Sequence, residues 1–582
     1  MRKILRLWTR AWPTAAAGAF VAVIMSMRGV TAIDLAAVRV TMANPWRPLA
    51  LAAVFAGIEF FVARHQRRRL VLPACALIFS FVLAIILISR SAPQVAAFAD
   101  GALFEVHTRN ALQGQQALGA YSQFGWSHPG PLAFYVFGPL YQLGGASQFS
   151  LNSAAFTINV LALLLTVALA IRYGDGALPP ILAAWLLLYL LRLPDLASSF
   201  WNPHFLVLPL AALLVACAAV SVGHHWAWPV VALLGSWVAQ AHIGLLPAVA
   251  GCCGVSVALS WISTNGRTPR STKWLVVLIL AAAWALPIAD QLINSPGNMR
   301  RIAHFFLYES GPRPGLAVSL KAFAAMTTGV LQPNLYLAQG WLFEPVSWGP
   351  VAALLIGVPA LAIATWTEWR SGARFNSALG AVCLSTLAMG LLSAISIRGR
   401  VGDYHLFWLT VVGAVSAAVV TTAVVRRFIS LPSALGVYAG AAAFAVALYA
   451  SYGALMARTT LAPTSERTTV MGLTKDIMDQ QRTGQFGRLL IEVDPLVWDI
   501  AAGVVLELVK ADVEVHVDPL LVRLYGPPFR ASGDEDTLLS IAGPAKQEAV
   551  MKQDGRLFVT SVNRVSVSVR RIPPLGSFLT VR

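Results

Sequence analysis

One stretch of the chain sets a carboxylate able to take a proton ahead of a run of aromatic rings and a histidine. It begins Phe98-Ala-Asp100-Gly-Ala-Leu-Phe-Glu105-Val-His107-Thr-Arg109 and reaches Tyr121-Ser-Gln-Phe-Gly-Trp126-Ser-His128-Pro-Gly-Pro131, then Leu132-Ala-Phe-Tyr135 and Pro139-Leu-Tyr141. A carboxylate at the start of an amphipathic helix can serve as general base toward a hydroxyl. Asp100 is that carboxylate, and its plainer reading is as a cap for the helix it opens. Glu105 is a second candidate, although five residues along a helix turn a side chain away by about 140°. Trp126, Tyr121 and Tyr135 have faces on which a sugar ring can stack, and His128 can hydrogen bond one. Aromatics are also common where a chain meets the membrane surface. The Pro/Gly-broken run is backbone of a kind tolerated at membrane depth only when protein buries it or it lines a wet cavity.

Cations that could hold a phosphate lie elsewhere in the sequence. Ser396-Ile-Arg398-Gly-Arg400-Val-Gly-Asp-Tyr404-His405 supplies two arginines, and Arg makes bidentate phosphate contacts. Anchoring to lipid headgroups is the alternative use. Arg300, Arg301 and His304 form a weaker version of the same pattern. Trp201-Asn-Pro-His204 and His242 sit at the ends of apolar runs. An ionisable residue there is either part of a binding site or a histidine whose hydrogen bonds are met by its neighbours.

Asp100 shortly after an apolar span, then Ser127-His-Pro-Gly-Pro131, Leu-x-Phe-Tyr and Pro139-Leu-Tyr141, resembles the first outer loop of GT-C-type glycosyltransferases. That superfamily includes the protein mannosyltransferases and the aminoarabinose transferases of lipid A. The resemblance implies a membrane enzyme that takes a sugar from a polyprenyl-phosphate donor at the outer face. Asp100 would then activate an acceptor hydroxyl, Arg398 and Arg400 would hold the departing phosphate, and attack from the opposite side would invert the anomeric centre. The acceptor would be a cell-envelope glycan, lipid or protein. A phosphate monoester leaves with little or no protonation, so one base can suffice. The chain departs from the pattern in carrying a single Asp100-Gly101 where those proteins pair two acids, which leaves a divalent metal requirement open. Two extra spans also precede the loop.

These residues need a scaffold, and the composition says what kind. The chain has 582 residues, 57% hydrophobic and only 12% charged, about half the roughly 25% charged residues of a soluble domain. The apolar excess must face lipid. A net charge of +17 arises from short clusters between apolar runs, as in membrane topology signals, and not from a nucleic-acid-binding patch. Apolar runs lie near 12–30, 47–63, 71–89, 151–171, 178–193, 204–222, 226–243, 246–262, 274–292, 347–366, 376–396, 404–425 and 432–455. The expected fold is therefore a polytopic α-helical membrane protein, GT-C-like, with roughly thirteen spans of about 20 residues. The run from Trp12 to Val30 lacks a convincing cleavage site and reads as a retained helix.

With a cytoplasmic N-terminus, short basic turns such as Arg64–Arg69, Arg267–Lys273 and Arg426-Arg427 fall inside. The long segments near 90–150 and 293–346, and everything after 456, fall outside the plasma membrane. Residues 1–456 are expected to form the membrane domain and 457–582 an extracytoplasmic α/β domain. Strands 487–493 and 513–517 flank a helix 495–510 there. Cys75, Cys217, Cys252, Cys253 and Cys383 all lie inside apolar runs and read as small apolar residues.

Other chemistry is poorly supported. Asp534-Glu-Asp536 is a short acidic run better read as a polar turn. No Gly-x-x-x-x-Gly-Lys-Ser/Thr loop is present, and the β-α-β unit lacks a dinucleotide fingerprint. The rival classes are a secondary transporter or flippase of lipid-linked precursors, and a non-catalytic envelope-assembly protein. No internal repeat supports the transporter.

Overall fold

The computed structural model describes residues 71–572, apart from 176, 265–266, 310, 341–346, 429–445, 447–448, 459–463, 485 and 553–554, together with strand residues 32–35 and 38–41. The expected spans at 12–30 and 47–63, the basic turn 64–69 and most of the span at 432–455 lie outside the described residues. The chain divides into two compact units. One takes in the described residues up to Gln94 and Leu140–Ser153; the other takes in Val95–Pro139 and those from Ala154 on.

In the first unit, β1 (Ala32–Leu35) pairs antiparallel with β2 (Val38–Thr41). Helix α1 (Val71–Ser91) follows, and its Arg90 Nε donates to the Leu143 carbonyl at 2.8 Å.

The second unit begins with α2 (Ala99–Leu112). The helices after it are α3 (Leu132–Leu143), α4 (Gln148–Tyr173), α5 (Leu178–Arg192), α6 (Val207–Ser221), α7 (Trp228–Ala241), α8 (Leu246–Thr264), α9 (Arg270–Ile293), α10 (Asn298–Tyr308), α11 (Leu316–Thr327), α12 (Gly349–Arg370), α13 (Arg374–Ser396) and α14 (Leu409–Phe428). Every expected span from 71–89 to 404–425 falls on a described helix. Seven helices among the described residues are long and apolar enough to cross a membrane, whereas α5 and α7 are shorter.

Burial sorts these helices by environment. Every residue of α6 is buried, so it is the centre of the bundle. Helix α9 is as apolar but leaves Leu278, Leu292 and Ile293 65–80% exposed, as a helix facing hydrocarbon must. Polar ties hold the bundle at the end where α12 and α14 finish. Glu368 Oε2 meets Arg426 Nη1 at 2.5 Å and accepts from Asn376 Nδ2 at 2.7 Å. A buried carboxylate there is tolerable because cation and amide both satisfy it.

Beyond the bundle, α15 (Ser465–Gln481), β3 (Leu489–Val493), α16 (Trp498–Lys510) and β4 (Val515–Val517) form the expected β-α-β unit. It is extended by β5 (Thr537–Ala542), α17 (Pro544–Met551), β6 (Arg556–Val562) and β7 (Val565–Arg571). The sheet order is β4-β3-β5-β7-β6. Strand β3 runs parallel to β4 and β5, and β7 returns antiparallel to β5. Every residue of β5 is buried, because it lies mid-sheet with both faces covered. The β6–β7 hairpin turns at Asn563 and Arg564, both at positive φ, the backbone that a two-residue hairpin loop requires.

Helix α2 differs from its expectation. It is not a half-exposed amphipath: residues Ala102–Thr108, Asn110 and Ala111 are buried. One side packs Phe104 against Phe134, Phe137, Phe200 and Phe205. The other side contributes Ala102, Leu103 and Val106 to the same core as Val470, Ile500, Val504 and Tyr525 of the C-terminal region. Partners this distant in sequence leave no trace in local periodicity.

Candidate active site

Asp100 sits in the first turn of α2. Phe98 is the N-cap and no side chain caps the helix, so Asp100 is not the cap. Its Oδ2 accepts from the indole N–H of Trp201 at 2.9 Å. Ala99, immediately before it, has φ +49°. That left-handed backbone costs a non-glycine residue about 1–2 kcal/mol and persists only where surrounding packing imposes it. The turn is held in place by Gly503 of α16, where a Cβ would stand 2.5 Å from the Ala97 carbonyl oxygen.

The carboxylate remains exposed, yet crowding by protein raises its pKa above the usual 3.8, with the Trp201 hydrogen bond pulling the other way. Its other oxygen is free among the described residues to take a proton. A carboxylate in such a place is a stronger base than one in water.

Tyr404 lies beside it. Burial raises the tyrosine's pKa, and the negative charges of Asp100 and Asp403 add to the rise. The Trp201 ring is 6.0 Å from the Tyr404 ring, and Tyr404 is 4.0 Å from His405. Asp403 is spent on structure, since its two oxygens accept the backbone N–H groups of Gln339 and Gly340 at 2.9 and 3.0 Å.

Three histidines continue the site. His128 and His242 stack with ring centres 5.0 Å apart. Nδ1 of His128 accepts from Ile243 N–H, Nδ1 of His242 from Gly244 N–H, and Nδ1 of His405 from Gly402 N–H, at 3.0–3.2 Å. Burial pulls the pKa of His128 and of His405 down to about 4. A neutral ring whose Nδ1 is an acceptor carries its proton on Nε2. Backbone geometry thus fixes one tautomer in all three rings and leaves each Nε2–H without a partner among the described residues.

The helix directions explain the convergence. Trp201 precedes α6, His242 precedes α8, and Tyr404 and His405 fall between the end of α13 and the start of α14, so all lie at one end of the bundle.

The other sequence candidates take different places. Glu105 is not with Asp100: it is wholly buried, with Oε1 2.7 Å from Lys510 Nζ. His204 is occupied on both nitrogens, Nδ1 by Ser199 Oγ at 2.7 Å and Nε2 by the Ala338 carbonyl at 3.0 Å. Trp126 is buried in a cluster with Ile302 and Phe305, while Tyr121 is half-buried in a bridge to Ser127. Arg398 donates Nη2 to the Phe306 carbonyl at 2.8 Å. Arg301 Nε donates to Pro296, and Arg300 and His304 are exposed. None of these makes a hydrogen bond or ion pair with Asp100 among the described residues. Tyr404 and His405 were passed over because the arginines of the same run drew the reading.

A divalent ion finds few ligands at Asp100. Among the described residues it belongs to no group of three metal-ligating side chains, and both Asp403 oxygens are already engaged. Among the described residues, the side chains around Asp100 do not supply the ligand set of a protein-held ion.

Fold and helix arrangement together define a polytopic helical membrane protein. The chain is similar to the crystal structure of ArnT from Cupriavidus metallidurans bound to undecaprenyl phosphate, with TM-score 0.51 and 11% identity over 86% of this chain and 98% of that one. For the apo state of ArnT the TM-score is 0.47 and the identity 13%, over 85% and 97%. At this identity the likeness is one of fold. No protein-family model and no curated protein matches the chain.

Proposed function

We propose that the chain is an integral membrane glycosyltransferase that moves a sugar from a polyprenyl-phosphate donor to a cell-envelope acceptor, with inversion. The observation that carries this reading is Asp100, an accessible but desolvated carboxylate with one oxygen held by Trp201 and the other free. The GT-C-type fold, shared with a protein crystallised with undecaprenyl phosphate, supports the donor class.

In the reaction Asp100 takes the proton of the acceptor hydroxyl as its oxygen attacks the anomeric carbon. The bond from that carbon to the phosphate oxygen breaks, and the phosphate monoester leaves with the electron pair. The Nε2–H groups of His128, His242 and His405 are neutral donors for phosphate or sugar oxygens, and Arg398 and Arg400 supply positive charge. We place this end of the bundle, and residues 457–582, outside the plasma membrane. The basic pair Arg426-Arg427 closing α14 at the other end supports that orientation.

The test is transfer from radiolabelled polyprenyl-phosphate arabinose, mannose or glucose in membranes holding native acceptor. Turnover with one donor, lost in Asp100→Asn while lipid binding and the melting temperature are retained, is the expected result. Failure with every donor, or full turnover in the variant, would overturn the proposal. Labelling of a cysteine placed at Asp100 from the cytoplasmic side alone would overturn the orientation.

A further inference from the structure

Cysteine is scarce in this chain, yet three of the five residues meet. The Sγ atoms of Cys217, on α6, and of Cys252 and Cys253, on α8, lie within 4.8 Å of one another. Cys217 and Cys252 are fully buried and Cys253 is half-buried. Neighbouring residues on a helix point about 100° apart, so Cys252 and Cys253 converge only because both flank the point where α6 crosses.

We propose that these three thiols form a binding site for one soft monovalent d10 cation, Cu(I). Thiolate sulfur selects soft metals such as Cu(I) and zinc. Zinc in structural sites takes four ligands, and among the described residues the group offers three. The hydroxyl of Ser256, on the same helix, donates to the Cys252 carbonyl at 2.7 Å. No imidazole or carboxylate joins the group among the described residues. Three sulfurs in a dry helix interface match a trigonal ion. On binding, Cu–S bonds form and one thiol proton passes to solvent for the Cu(I) taken up, the other two sulfurs binding as thiols, so the buried site stays neutral with no change of oxidation state.

The site ties together two helices that begin at the candidate active site. Cys217 is ten residues past Val207, about 15 Å along α6, and Cys252 six past Leu246, about 9 Å along α8. Bound metal would fix the helices that carry Trp201 and His242 at their starts. The inference stands on the thiol geometry and does not depend on the glycosyltransferase reading.

The experiment titrates the reduced full-length protein in nanodiscs with Cu(I) against a chromogenic Cu(I) chelator, with Zn(II) in a parallel arm. One Cu(I) per chain is expected. Loss of a direct ligand should weaken binding at least as much as loss of a supporting contact, so Cys217→Ser and Cys252→Ala should each cost about 100-fold or more. Cys383→Ser, a buried cysteine outside the group, should leave affinity unchanged. Monodisperse elution and an unchanged melting temperature identify folded variants. Binding no tighter than that of the triple-serine variant overturns the site, and equal or tighter binding of Zn(II) overturns its assignment to the monovalent ion.

Discussion

Burial raises the basicity of Asp100, and Trp201 tempers it. Its indole N–H stabilises the ionised carboxylate against the crowding that raises the pKa. Trp201→Phe keeps an aromatic ring and deletes the donor, so the carboxyl pKa should rise further. Because only ionised Asp100 can accept a proton, the acid limb of the pH–rate profile should move to higher pH, with turnover above the limb largely kept. A profile of transfer rate against pH measures this, and an unmoved or lowered limb would count against the assignment. The candidacy of Asp100 was legible, since a carboxylate ahead of a Pro/Gly-broken aromatic run is a conspicuous arrangement. Its partner was not, because Trp201 is 101 residues away. The histidines show the same limit. Sequence marked His128, His204 and His242 alike, and only the fold reveals that His204 has both nitrogens engaged while the other two keep Nε2 free.

At the scale of elements, α2 is gripped by α16. Gly503 allows close approach at the Ala97 carbonyl, and the Glu105–Lys510 pair closes the other end of the contact. Burial lowers the pKa of Lys510, but Glu105 and Glu507 together outweigh it and leave the ammonium firmly charged. Lys510→Met takes the ammonium away from the fully buried Glu105 carboxylate and should destabilise the protein by about 3–5 kcal/mol. Adding Glu105→Gln should restore most of the loss, as a double-mutant cycle of unfolding free energies would show; no recovery in the double variant would refute the pairing. The strands of the C-terminal region were readable because they alternate and are flanked by turns. The character of α2 was misread because its buried faces are created by Phe134, Phe205 and Val504, none of which is local to it.

At the scale of the whole molecule, the membrane bundle was legible from apolar run length, and the single core shared by α2 and the C-terminal sheet was not. That core makes the C-terminal region part of the candidate site's framework. Ending the chain after Thr464 would expose Ala102, Leu103 and Val106 and leave Glu105 without its cation. Hydrogen exchange should then show α2 opening readily while α6 stays protected, and unchanged protection of α2 would contradict the shared core. The order of synthesis gives this arrangement a further meaning. Asn110, itself buried near the end of α2, donates its Nδ2–H to the carbonyl of Tyr525, 415 residues later in the chain. A nascent protein can thread its helices into the bilayer well before that residue leaves the ribosome. Until then only Trp201 and the rings around Phe104 hold the Asp100 turn, and the grip of the C-terminal region on α2 comes last.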